Sequence, residues 1–500
     1  MRKTLLVLAF VVLAFAVAGE PSARSFATQH TAMIAGKKVT YDANFEEFIV
    51  NDNTGKPALS LFVTSYVRKA VRDASERPVV FVFNGGPSGA ATGLHMQFGP
   101  RSSKVADDRH TADAAPTFAD NADSLLDVAD LVMFDPAESG YSRVLPEGSR
   151  DYFYSTAGDT DSLAQLVLAW ARRHSRESSP KYLLGESYGS IRQVVTGDLL
   201  SARGAPLDGQ IILGDSIFLM ETSRRSHNII STAVSLPVLA MTAAYHGKAD
   251  THGLSDAAFL DEVYSFALGD YLIALSKGHN IHQADKRAIA ERLAAYTGIP
   301  ASYFLDHNLT IAKQDFNREL LPGKQLDASD TRIVSSALPP PKDPEEVRAQ
   351  RTEQTAAPSR NLYGDYLHAE LKVELPGLEY RNLAPDSFEM WDWGSGCNQY
   401  LQSAGLCTTK YDRRSIFVDY DWPEVLNRQF SNPKFRTMII AGYYDGLSSI
   451  GTHRYLAAQL GYPSDRFELH EYPAGHATAA DPAVRPKVLK DVKAFLVKAR

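Results

Sequence analysis

The chain has only two cysteines in 500 residues, Cys397 and Cys407. A disulfide framework therefore cannot be what stabilises it. An oxidising compartment could join the two thiols locally or leave both as lone buried groups, and their spacing fits either arrangement. Blocks of like charge are also missing, and the formal net charge is −7. This argues against nucleic acid or an anionic membrane as a partner. Glycine-rich phosphate loops are absent, and no metal or cofactor is implied. His279 and His282 form a pair at helical spacing with no third ligand nearby, so they read as surface residues. Beyond the N-terminus no apolar run is long enough to span a bilayer, so no integral membrane segment is expected after processing.

What is present begins with a targeting pattern. Arg2 and Lys3 precede an apolar run from Leu5 to Val17, and Ala16 and Ala18 offer an A-x-A cleavage site. That is the layout of a secretory signal peptide, so residues 1–18 are set apart and the mature chain is expected to be secreted or periplasmic. The remainder is rich enough in apolar residues to build a core: 44% are hydrophobic and 22% charged.

Residues 32–68 alternate apolar and polar positions around the turn Asp52-Asn53-Thr54-Gly55, which predicts antiparallel strands at Phe45–Val50 and Leu59–Val67. Short branched or aromatic runs follow at Pro78–Phe83, Asp130–Asp135, Lys181–Gly185, Gln210–Gly214 and Phe435–Ala441. Helical patterns separate them. In Asp161–Arg173, Leu163, Leu166, Val167 and Trp170 share one face. Strands alternating with helices predict an α/β fold with a mostly parallel central sheet covered on both sides. Residues 219–374 differ: they read as helical, as at Ala257–Ser276 and Ala284–Tyr296, and are interrupted by the Pro-rich Pro339–Pro344. The expected organisation is a discontinuous catalytic domain, 30–218 and 375–500, with a helical cap insertion at 219–374.

The chemistry starts at Gly185-Glu186-Ser187-Tyr188-Gly189, a G-x-S-x-G pattern between an apolar strand and a helix beginning near Ile191. A sharp strand-to-helix turn exposes the serine hydroxyl. Serine needs a base to remove its proton, and an acid to orient that base. Asp445 follows the run Met438–Ala441, and His476 follows Phe467–Tyr472. Both sit where strands end, the location at which catalytic groups gather in open α/β sheets. Ser187, Asp445 and His476 are therefore the candidate triad, in the chain order of the α/β-hydrolase fold. Asn84-Gly85-Gly86-Pro87 also follows a strand. The backbone N–H groups of Gly86 and Tyr188 are the candidate oxyanion hole.

These motifs resemble the serine carboxypeptidases, and in particular their bacterial relatives. Asn84–Pro87 matches the family's N-G-G-P, Gly185–Tyr188 its G-E-S-Y, and Asp135–Ser142 looks like its D-x-P segment. Gly442–Asp445 and Ala474–His476 are similar to its C-terminal acid and base segments. The resemblance spans roughly residues 35–500 and implies an exopeptidase acting on peptide C-termini, with Asn84 and Glu186 binding the substrate carboxylate. A protonated Glu186 could donate to that carboxylate and would lose the ability on ionising.

Three positions depart from the family pattern. Ser88 replaces a glycine, Gln97 stands where a second carboxyl is common, and Glu138 replaces a small residue. Glu138 is expected to face solvent rather than tune the pocket for a basic residue. Trp391 and Trp393 are expected to pack in the core or wall the pocket. An esterase or acyltransferase on the same fold, and a non-catalytic binding protein, are the alternative readings.

Overall fold

The apolar runs identified above become the middle of one twisted sheet. The computed structural model describes residues 24–103, 118–217, 228–336, 362–393 and 422–498. Residues 1–18, the Cys397–Cys407 pair and the Pro339–Pro344 segment lie outside them. The strands are β1 (Ser25–Ile34), β2 (Lys37–Asn51), β3 (Pro57–Arg68), β4 (Val79–Phe83), β5 (Asp130–Phe134), β6 (Lys181–Glu186), β7 (Gly209–Leu213), β8 (Arg436–Gly442) and β9 (Phe467–Tyr472). Their order in space is β1-β2-β3-β5-β4-β6-β7-β8-β9, with the short strand Arg143–Val144 paired to β3. β1 to β3 are antiparallel, β3 joins β5 antiparallel, and every pair from β5 to β9 is parallel.

Burial on both faces explains why the central strands read as continuous apolar runs. In β4, Val80 and Val82 enter one core, while Val79, Phe81 and Phe83 enter the other. The first face is covered by Leu94, Phe98, Val488, Val492 and Phe495; the second by Leu163, Leu166, Trp170, Ile191 and Leu426. The helix over the second face, α1 (Thr156–Arg173), starts five residues earlier than the periodicity indicates, because the Ser155 hydroxyl caps it by accepting the Gly158 N–H at 2.9 Å.

Between β7 and β8 the described residues include the helices α2 (Ile229–Tyr245), α3 (Asp256–Phe266) and α4 (Gln283–Thr297). The run Ala257–Ser276 is not one helix. It kinks at Gly269 (φ −101°, ψ −111°) before a short helix at Leu272–Lys277. A third apolar cluster, with Leu236, Val263, Phe266, Tyr296 and Phe304, joins these helices to Tyr443, Tyr444 and Ile450. Residues 362–373 do not join that cluster. Tyr363, Tyr366, Leu367 and Leu371 pack into the first face of the sheet, because their rings and methyl groups meet Tyr66 and Leu94 there. No helix among the described residues is long and apolar enough to cross a membrane.

Candidate active site

Strand register brings the candidate residues together. Phe83 pairs with Gly185, Glu186 with Leu213, Leu213 with Ile440, and Gly442 with Tyr472. Asn84, Ser187, Gly214, Asp445 and His476 therefore all follow strand ends on one edge of the sheet. Ser187 has φ +58°, an uncommon conformation for a residue with a side chain. Its N–H donates to the Leu213 carbonyl at 2.9 Å, and the helix Gly189–Ala202 starts directly after Tyr188.

His476 and Asp445 are both buried, and His476 Nδ1 lies 2.7 Å from Asp445 Oδ2. The other carboxylate oxygen accepts the N–H groups of Leu447 and Ser448 at 2.9 and 2.8 Å. Burial works against a charged His476, yet Asp445, followed by Glu186 and Asp215, more than offsets it and raises the imidazole above its ordinary range. The ring lies on Gly214, where a Cβ would stand 2.8 Å from both Cε1 and Nδ1. His476 Nε2 is buried with no hydrogen bond inside the protein, so the Ser187 hydroxyl does not reach it in this arrangement. Such bonds commonly tighten only when substrate is bound.

Gly85 packs against the turn at Ser187: a Cβ on it would lie 2.6 Å from the Tyr188 nitrogen and 2.8 Å from Ser187 Cβ. Among the described residues, no backbone carbonyl takes up the N–H of Gly86 or Tyr188. Ser88 is buried and accommodated, its carbonyl accepting the Ala384 N–H at 3.1 Å. Three further buried polar atoms have no partner: Asn84 Oδ1, Glu186 Oε2 and Gln97 Oε1. Burial pushes the Glu186 carboxyl up to about 6, against the pull of His476 and with a further push from Asp445. Gly93 stands between Asn84 and Gln97, 3.9 Å from each amide nitrogen as measured from its Cβ position.

Residues 58–192 match the family model described as serine carboxypeptidase. The chain is a serine hydrolase similar to the serine carboxypeptidases. Its α/β-hydrolase fold is shared with Kex1, a prohormone-processing carboxypeptidase from Saccharomyces cerevisiae, at 10% identity and TM-score 0.50 over 91% of each chain. A proline iminopeptidase from Mycobacterium smegmatis aligns at 13% identity and TM-score 0.36, over 90% of this chain and 97% of that one. No curated protein matches the chain by sequence.

The hydrolase holds the turn at Ser187 with a group that the motifs do not reveal. Arg192, wholly buried, donates to the carbonyls of Asn84 and Pro87 and pairs with Asp159 at 2.8 Å. A single arginine in a helix carries no sequence signal for this role, because its partners lie 33 and more than 100 residues away. Glu138 corrects an expectation. It is 6% exposed, at φ +64°, and pairs with Arg381 at 2.7 Å while accepting the Val144 N–H at 3.0 Å. A guanidinium and a backbone donor hold it inward, so it does not face solvent. Trp391 is buried, and both Trp391 and Trp393 set their rings edge-on to Tyr188, at 5.3 and 5.5 Å. His279 and His282 are exposed.

Proposed function

We propose that this serine hydrolase is a carboxypeptidase that removes C-terminal residues from peptides with Ser187, Asp445 and His476 as its triad. In this reading, the Ser187 hydroxyl attacks the last peptide carbonyl as His476 Nε2 accepts its proton. The N–H groups of Gly86 and Tyr188 hold the oxyanion. His476 then passes the proton to the departing amino group, and water, deprotonated by the same imidazole, releases the acyl-enzyme. Asp445 keeps Nδ1 protonated and Nε2 free. The helical segment between β7 and β8 would cap the site, and residues 1–18 would export the chain.

The observation that carries the peptidase reading is Glu186. A carboxyl held up to about 6 beside the nucleophile, with an unpartnered buried oxygen, suits a substrate carboxylate and serves no purpose for a neutral ester. Asn84 would supply the second contact. Gln97 cannot ionise and offers an amide instead of a second carboxyl. Blocked dipeptides with free and amidated C-termini test this directly. The free acid should be cleaved at least tenfold faster at pH 5. Equal rates would remove carboxylate recognition and leave the esterase reading.

A further inference from the structure

After the helices of the third apolar cluster the chain forms a hairpin, Lys324–Leu326 against Val334–Ser336, whose turn reaches back to the sheet. Asp327 shapes that turn. Its carboxylate accepts the N–H groups of Ser329 and Asp330 at 2.7 and 3.2 Å, and its own N–H donates to Ile333 O at 3.0 Å. The turn then touches both loops of the acid–base pair. His476 donates its N–H to Ser329 O at 2.7 Å, while Thr331 donates its N–H and its hydroxyl to Tyr444 O at 3.0 and 3.1 Å. Contact is close enough to require glycine on each loop. A Cβ on Gly446 would lie 2.7 Å from Ala328 O, and one on Gly475 would lie 2.6 Å from Asp330 Cβ.

Arg332 closes the arrangement. Its guanidinium donates to Asp330 (2.9 and 2.6 Å), to Asp481 (2.6 Å) and to Pro473 O (3.1 Å), and lies 5.1 Å from the Tyr444 ring. Thr242 Oγ1, 2.6 Å from Thr331 Oγ1, and His246, 2.9 Å from Thr331 O, tie the same turn to α2. One short stretch thus hydrogen-bonds to His476 itself and to the residue preceding Asp445.

We propose that residues 327–332 form a strap that sets the separation of Asp445 and His476, and that Arg332 is a positioning residue for hydrolysis. The proposal rests on the triad reading above. Asp445 and His476 stand on loops after adjacent strands, and each loop could shift by fractions of an ångström without unfolding the sheet. Misplacement on the order of 1 Å in a catalytic group can cost about 10²-fold in rate. Arg332 acts through the strap and touches none of the reacting atoms. Its fork of donors suits the two carboxylates and the carbonyl together, a geometry that lysine reproduces only in part.

The test compares full-length wild type with Arg332→Ala, Arg332→Lys and Thr331→Val. The readouts are kcat and KM on a blocked dipeptide with a free C-terminus, the rate of reaction with a fluorophosphonate, and the downfield proton resonance of His476 Nδ1–H. Arg332→Ala should lower kcat and the phosphonylation rate by roughly tenfold to 100-fold, with KM within about threefold. The resonance should move upfield, and Arg332→Lys should recover part of each loss. If Arg332→Ala does not fold, Thr331→Val, which removes the hydroxyl's bonds to Tyr444 O and Thr242 Oγ1, should show the same effects at several-fold size. Variants that lose thermal stability but keep the wild-type kcat, phosphonylation rate and resonance would overturn the strap. A wild type inert to the fluorophosphonate would instead overturn the triad reading, and the strap with it.

Discussion

Gly214 lies against the imidazole of His476, so close that a single added methyl carbon would stand 2.8 Å from two ring atoms. Gly214 also has φ +49°, so a side chain there is strained as well as obstructive. Gly214→Ala should therefore displace the ring and lower kcat by about 10²-fold, with little effect on KM. Steady-state kinetics on a dipeptide substrate checks this; an unchanged kcat would mean that the ring position does not matter to the reaction.

The proposed pairing of His476 with Asp445 makes a second prediction. Asp445→Asn keeps the shape but lets the imidazole take the wrong tautomer, which should reduce kcat by roughly 10⁴-fold. Wild-type activity should fall on the acid side as His476 takes up a proton, since burial opposes that charge but Asp445 more than offsets it and raises the pKa. In Asp445→Asn the residual activity should persist to lower pH, because the stabilising carboxylate is gone. A pH–rate profile reads both effects.

Glu186 connects pH with stability. Burial raises its carboxyl from 4.5 to about 6 in the folded chain, so between those values the native state binds more protons than the unfolded one. Stability should then decline as pH rises from about 4.5 through about 6, the full loss being present above the folded value. Glu186→Gln removes this decline. The variant should match wild type near pH 4 and exceed it by ~2 kcal/mol at pH 8. Urea unfolding at the two pH values measures the difference.

Arg192 and Asp159 form a wholly buried ion pair next to the turn at Ser187. Arg192→Met would leave a carboxylate without its partner and free two carbonyls of the Asn84–Pro87 loop. A loss of about 3–5 kcal/mol is expected, visible as a lower denaturation midpoint. Arg192→Met combined with Asp159→Leu should recover much of that stability but not the loop's alignment, so activity should stay low.

Much of this candidate site is legible in the amino-acid order because the patterns that mark it are local. Strand, turn and helix around Ser187 occupy a few consecutive residues, and Asp445 and His476 each follow their own apolar run. The parallel strands are legible for the same reason, since burial on both faces leaves unbroken runs such as Val79–Phe83. Long-range partners leave no such trace. Arg192 reaches carbonyls 108 and 105 residues away, and Ser329 meets His476 from the far side of a helical segment. Glu138 reads as an exposed acid until Arg381, 243 residues on, is placed beside it. The kink at Gly269 is hidden because the apolar spacing on either side of it continues unchanged.

The central claim is that Ser187 is activated by the buried pair behind it. Mass spectrometry of the folded protein after fluorophosphonate treatment, with peptide mapping, tests this directly. One phosphonyl group on Ser187 in wild type, and none in a folded Ser187→Ala variant, is the expected result. An unmodified wild type, or an adduct that persists in Ser187→Ala, would contradict it.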